Sequence, residues 1–135
     1  MAMKIISRGA EAVLYVEEGK LVKERISKGY RVKELDDKLR KIRTKSEAKL
    51  LERAKDANVP RVFSVSDKDM KISMEYIDGE LAKNIIDELS DNNLKLLCMD
   101  IGKQIASLHS VSVVHGDLTT SNMILRGNEV YLIDL

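Results

Sequence analysis

The sequence predicts an α+β fold in two parts. Residues 1–78 read as an antiparallel sheet with one inserted helical region, and residues 79–135 as the first part of a helical lobe. Three observations predict it. Short apolar runs separated by turn residues fill the first third. Helical spacing takes over after Tyr30 and returns after Ser90. A cluster of polar side chains near the C-terminus lies between an apolar pair, Val113-Val114, and the hydrophobic strand Tyr131–Ile133.

In order, Met3–Ser7 is the first strand candidate, Arg8–Glu11 a turn and Ala12–Val16 the second strand. Glu17-Glu18-Gly19-Lys20 reads as a hairpin turn into a third strand, Leu21–Ile26. Leu35, Leu39 and Ile42 then fall on one helix face, resumed by Leu50, Leu51 and Ala54, until Pro60 ends the region. Arg61–Ser66 and Lys71–Tyr76 are two further strands about the Ser66–Asp69 turn. Glu80–Leu89 reads as a short helix. Ser90 is placed to cap a longer one with Leu94, Leu97, Cys98, Ile101, Ile105 and Leu108 on one stripe. Val111–Val114, with a strand-like Val113-Val114 at its end, leads into the polar cluster, and Met123–Leu125 with Val130–Ile133 makes a small hairpin.

Composition narrows the class. The 135 residues, 44% hydrophobic and 33% charged, suit a soluble domain with one sizeable core. No run is long and apolar enough for a membrane span, and no leader of signal-peptide type is expected. Cys98 stands alone, which argues against a disulfide framework and for a reducing, cytoplasmic setting; its expected place is a helix core. The net charge of +1 conceals an imbalance. Lys20–Lys55 holds 14 basic and 6 acidic residues (+8), and the remainder 9 and 16 (−7). Such a basic block suits ATP phosphates or an RNA backbone, or simply a solvated helix face with ion pairs.

The chemistry concentrates in His115-Gly116-Asp117-Leu118-Thr119-Thr120-Ser121-Asn122, followed by Asp134 at the end of an apolar strand. Phosphoryl transfer from ATP needs an aspartate near the attacking hydroxyl or water and two oxygen ligands for Mg2+. Asp117 fits the first role, Asn122 and Asp134 the second. His115 is expected to orient the loop, His109 to be an ordinary helix residue, and the methionines to be filler.

The order of these elements is the layout of a protein-kinase-like fold. A kinase places its phosphate-contacting lysine on the third strand, where Lys23 stands, and the lysine's carboxylate partner in the next helix, where Glu47 stands. Thr44-Lys45-Ser46-Glu47 is also a capping-box pattern, so Glu47 could instead start a helix. Met74-Glu75-Tyr76-Ile77-Asp78-Gly79 would form the hinge, with backbone near Glu75 and Ile77 reading adenine and Met74 beside the ring.

Beyond the generic fold, the chain resembles the small atypical serine/threonine kinase/ATPase subunits of the KEOPS complex, which supports threonylcarbamoyladenosine modification of tRNA. The resemblance rests on Arg8-Gly9-Ala10-Glu11-Ala12, Lys28-Gly29-Tyr30-Arg31, Leu35-Asp36, Leu39-Arg40, Arg43-Thr44, Glu47-Ala48, Met74 to Gly79 and His115 to Met123. Protein kinases more often carry Arg where Gly116 stands. The resemblance implies an ATP- and Mg2+-dependent enzyme partnered by a tRNA-modifying transferase subunit and a small regulatory subunit, with tRNA contact possible through the Lys20–Lys55 block. It implies nucleotide contacts from Gly9, Ala10, Glu11, Lys23, Glu47, Met74, Glu75 and Ile77, with Asp117 catalytic. Two departures stand out. Only Gly9 remains of the glycine-rich phosphate loop of ordinary kinases, leaving the grip to Lys23, metal and Glu11. Relatives also continue past Asp134-Leu135, so the chain is expected to be a truncated form, with Met1-Ala2 resembling a cloning addition. A non-catalytic kinase-like scaffold and a small-molecule phosphotransferase remain the alternatives.

Overall fold

Two short turns set the antiparallel architecture of the computed structural model, which describes residues 4–9 and 11–135. Strands β1 (Lys4–Arg8), β2 (Ala12–Glu17) and β3 (Lys20–Arg25) run in sequence. Glu18 and Gly19, with φ of 53° and 76°, join β2 to β3. Two consecutive positive-φ residues match the right-handed twist of the strands they join. After helix α1 (Lys33–Arg53), strands β4 (Val62–Ser66) and β5 (Lys71–Glu75) complete a sheet of order β1-β2-β3-β5-β4, antiparallel throughout. Leu21 faces Met74 and Lys23 faces Ile72 across β3–β5. The expected start of β1 at Met3 lies outside the described residues.

The remaining elements are β6 (Glu80–Leu81), α2 (Ala82–Ile85), α3 (Asp91–Ser110), β7 (Met123–Arg126) and β8 (Glu129–Leu132), with 3-10 turns at Ile86–Glu88 and Thr120–Asn122. β6, β7 and β8 form a second antiparallel sheet. Gly127, at φ 63°, opens the two-residue β7–β8 turn. The described residues divide into two compact units. One runs to Lys49 and resumes from Arg61 to Tyr76; the other comprises Leu50–Pro60 and Ile77–Leu135.

Several sequence expectations need correction. Leu35 and Ile42 are 50% and 52% exposed, so the first part of the predicted apolar face of α1 points outward, while Leu51 and Ala54 at its end are buried as expected. The inward face is polar as far as Glu47, with Asp36, Thr44 and Glu47 buried, and apolar from Ala48 to Leu51. Charged groups are tolerated there because each finds a partner. Asp36 accepts from the Lys28 N–H at 3.0 Å and from Arg40 Nε at 2.8 Å, and pairs with Arg31 at 3.4 Å. Glu80–Leu89 is not one helix but a two-residue strand, one helical turn and a 3-10 turn. Cys98 is exposed rather than buried; Leu97 and Leu108 are the fully buried members of the α3 stripe. Val113-Val114 is not a strand: Val113 folds back to donate its N–H to Leu108 O at 2.9 Å, while Val114 is 73% exposed.

Other expectations hold. The Ser90 Oγ accepts the Asn93 N–H at 3.2 Å, as a helix N-cap should. In the second unit a polar network ties α3 to β8. Asp100 accepts the Val130 N–H at 2.6 Å, and Gln104 accepts the Asn58 N–H at 2.8 Å. The Asn58 carbonyl in turn takes the Leu132 N–H at 2.8 Å. These bonds satisfy the edge of β8 that β7 leaves unpaired, and so steady the strand that leads to Asp134.

Candidate active site

In the first unit, the period of two along β3 puts Lys23 and Arg25 on the same face. Both reach Glu47 on α1: Lys23 Nζ lies 3.0 Å from Oε2 and Arg25 a guanidinium nitrogen 2.9 Å from Oε1. Glu47 is 4% exposed, so its charge has to be matched by these two cations. The capping-box alternative fails because α1 runs unbroken through Thr44, whose hydroxyl donates to Arg40 O at 2.7 Å within the helix. Arg25 is not among the residues the sequence motifs single out, and its place two residues beyond Lys23 on the same strand face is the signal for it.

Gly9 donates its N–H to Ala12 O at 2.9 Å, closing the β1–β2 turn. A Cβ at Gly9 would meet Ala12 O at an ordinary 3.5 Å, so space there does not require glycine. Ala10 lies outside the described residues. Glu11 pairs with Arg43 at 3.3 Å and, more loosely, with Lys28 at 4.0 Å, tying the turn to α1. Met74 is buried on β5. The Glu75 N–H is committed to Arg61 O at 2.7 Å.

In the second unit, Ile77 is buried and Asp117 exposed. His115 organises the loop. Its Nδ1 accepts the Asp117 N–H at 3.0 Å, and its Nε2 lies 2.7 Å from Ile133 O. A ring accepting at Nδ1 donates at Nε2, so these partners fix the tautomer. Asn122 Nδ2 donates to Asp117 O at 2.9 Å and to Asp117 Oδ2 at 3.3 Å. Both partners are acceptors, which fixes the amide and leaves its Oδ1 directed away from Asp117. The Asn122 carbonyl accepts the Ile133 N–H at 3.0 Å, drawing the strand end before Asp134 to the loop. Asp134 itself has φ 63°, a left-handed conformation uncommon outside glycine, asparagine and aspartate. Asn122 and Asp134 together offer hard oxygen donors, the set that suits Mg2+ completed by water and phosphate.

Comparison with known proteins gives the family and the fold. The chain is 49% identical over 144 residues to the KEOPS complex subunit Bud32 of Pyrococcus abyssi, covering 98% of this chain and 66% of that one. It is 41% identical over 136 residues to a probable bifunctional tRNA threonylcarbamoyladenosine biosynthesis protein of Methanosarcina mazei, covering 97% of this chain and 24% of that one. It thus spans just under two thirds of the first relative and about a quarter of the second. Among solved structures, a Rio2 kinase complex with ADP/Mg2+ and phosphoaspartate from Chaetomium thermophilum matches with TM-score 0.74 and 18% identity, covering 97% of this chain and 47% of that one. A streptomycin-ATP ternary complex of APH(2")-IIa matches with TM-score 0.72 and 18% identity, covering 99% and 66%. At such identity they show the fold alone, which is protein-kinase-like. With the family model of the RIO domain matched over residues 1–135, the chain belongs to the RIO domain family.

Proposed function

We propose that this chain carries the catalytic residues of an ATP- and Mg2+-dependent kinase/ATPase that serves tRNA threonylcarbamoyladenosine modification as a KEOPS subunit. The observation that carries the chemistry is the Asp117–Asn122 pair, joined by two hydrogen bonds and backed by a strand leading to Asp134. The observation that carries the biological setting is the 49% identity to a KEOPS subunit.

ATP with Mg2+, when bound, supplies the transferable phosphoryl group and neutralises charge on its oxygens. Asn122 Oδ1 and the Asp134 carboxylate would hold the metal. The bond from Asn122 fixes Asp117 Oδ2, leaving Oδ1 to take the proton of the attacking hydroxyl or water. His115 holds the Asp117 backbone, and so the direction of its side chain. Lys23, steadied by Glu47, would contact the phosphates, with Gly9 and Glu11 beside them. Met74, Glu75 and Ile77 would frame the base. The reading takes residues 1–78 as the kinase N-lobe and 79–135 as the start of the C-lobe, with the transferase and small regulatory subunits as partners.

The experiment compares the full-length protein with Asp117→Ala. Asp117→Ala should lower ATP turnover by about 10²- to 10⁴-fold while calorimetric Mg-ATP affinity stays near that of the unmodified protein. Unchanged turnover would remove Asp117 from the chemistry. Stimulation by tRNA with partner subunits, but not by small alcohols, separates this function from small-molecule transfer. A protein that binds nucleotide without turnover is the scaffold alternative.

A further inference from the structure

The basic block Lys20–Lys55 does not act as a single patch, because the structure divides it. Lys23 and Arg25 are spent on Glu47, Arg31 and Arg40 on Asp36, and Arg43 on Glu11. Their charges are matched inside the first unit, and all but Arg43 have at most about a fifth of the side chain exposed. Of the nine cations of the block that remain, four share one face of α1. Lys41, Lys45 and Lys49 follow one another at intervals of four along the exposed side of α1, with Lys38 beside them.

Along the helix between Lys38 and Lys49 the only carboxylate is Glu47, buried on the opposite side, while Asp37, Asp67 and Asp69 border the hollow beside Lys38 and Lys41 and leave Lys45 and Lys49 the outer end of the ridge. Lys38, Lys41 and Lys49 form no ion pair among the described residues. Lys45 is paired at 3.0 Å with Asp67, where both side chains are nearly half exposed. Such a pair exchanges readily, since exposed bridges contribute little. Each step of four residues advances about 6 Å along the helix axis, commensurate with the spacing of phosphates along a nucleic acid strand.

We propose that the Lys38–Lys41–Lys45–Lys49 ridge of α1 is a docking surface for the phosphodiester backbone of an RNA strand. Lysine supplies point charges without the planar fork of arginine, so the ridge holds phosphates and reads no base sequence. This deepens the tRNA-linked function above, and depends on it only for which RNA is bound. The occupant is a polyanion rather than an apolar segment because four cations share the face with only Ile42 and Leu35 as exposed large apolar neighbours.

The test measures binding of the full-length protein to an unmodified tRNA transcript from 50 to 300 mM KCl (an experimental range chosen so that screening is moderate to strong). K38Q/K41Q/K49Q is compared with K83Q/K95Q/K103Q, which removes the same charge from exposed lysines of the second unit. The ridge variant should bind roughly 10- to 100-fold more weakly at about 0.1 M salt, with a slope of log K against log salt shallower by about 2 to 3. The control variant should lose far less. An unchanged slope, or equal loss in both variants, overturns the proposal. Polyglutamate displacing the transcript at matched charge would also overturn it, and would assign the ridge to an acidic protein partner. ATP turnover without RNA should match the unmodified protein in the ridge variant. Absence of turnover in the unmodified protein would instead defeat the catalytic function while leaving the RNA result standing.

Discussion

Removing Glu47 should be one of the more damaging single changes to the sheet unit, and for a reason involving two cations rather than one. At about 3 Å and an effective dielectric near 20, each bridge represents roughly 5 kcal/mol of gross attraction. Most of that is offset by desolvating the three groups. Breaking a buried pair by removing one partner costs about 3–5 kcal/mol. Lys23 and Arg25 keep 13% and 15% side-chain exposure, so water can partly solvate their charges once the carboxylate is gone. Glu47→Ala is therefore expected to destabilise by about 2–3 kcal/mol, near the lower edge of that range. For a domain of this size the loss corresponds to a fall in Tm of roughly 8–12 °C. Double-mutant cycles against Lys23→Met and Arg25→Met, followed by urea unfolding, should each return a coupling of about 1–2 kcal/mol. Arg25→Met should reduce stability while affecting Mg-ATP affinity less than Lys23→Met does. A Glu47–Arg25 coupling near zero would refute the two-cation argument and return Glu47 to a simple pair with Lys23.

Two further outcomes follow from packing and charge. At Gly79 an added Cβ would run into the Leu125 carbonyl oxygen and crowd Ile124 Cγ2 at 2.8 Å. Because backbone rather than a flexible side chain is in the way, Gly79→Ala should destabilise by about 2 kcal/mol and lower Tm by several degrees; an unchanged melting curve would show that the strands part freely there. For Asp36, burial pushes its carboxyl up, but hydrogen bonds from the Lys28 N–H and the Ser27 hydroxyl, with the Arg40 guanidinium, outweigh burial and hold it below its ordinary 3.8. A carboxylate depressed in the folded state contributes stability above its unfolded value and loses it as pH falls through the folded one. The stability gap between the unmodified protein and Asp36→Asn should thus be constant above about pH 5 and close progressively below 3.8. A gap independent of pH would show that Asp36 is not held as an anion.

The sequence by itself determined the parts of this protein whose signals are local. The β2–β3 turn at Glu18-Gly19, the cap at Ser90 and the hairpin across Gly127 each depend on a few adjacent residues. So do the spacing of Asp117, Asn122 and Asp134 and the family resemblance it carries. Tertiary structure decided what depends on residues far apart in the chain. Leu35 and Ile42 have the spacing of a core face, yet Asp36, Thr44 and Glu47 turn inward, because partners more than 20 residues away match Glu47 and make its burial tolerable. Arg25 becomes a second partner of Glu47 only once β3 is laid beside α1. Within the +8 surplus counted over Lys20–Lys55, folding matches Lys23, Arg25 and Arg40 with buried carboxylates and leaves Lys38, Lys41, Lys45 and Lys49 exposed on one face of α1. Composition counts charges, and only the fold decides which of them a partner can meet.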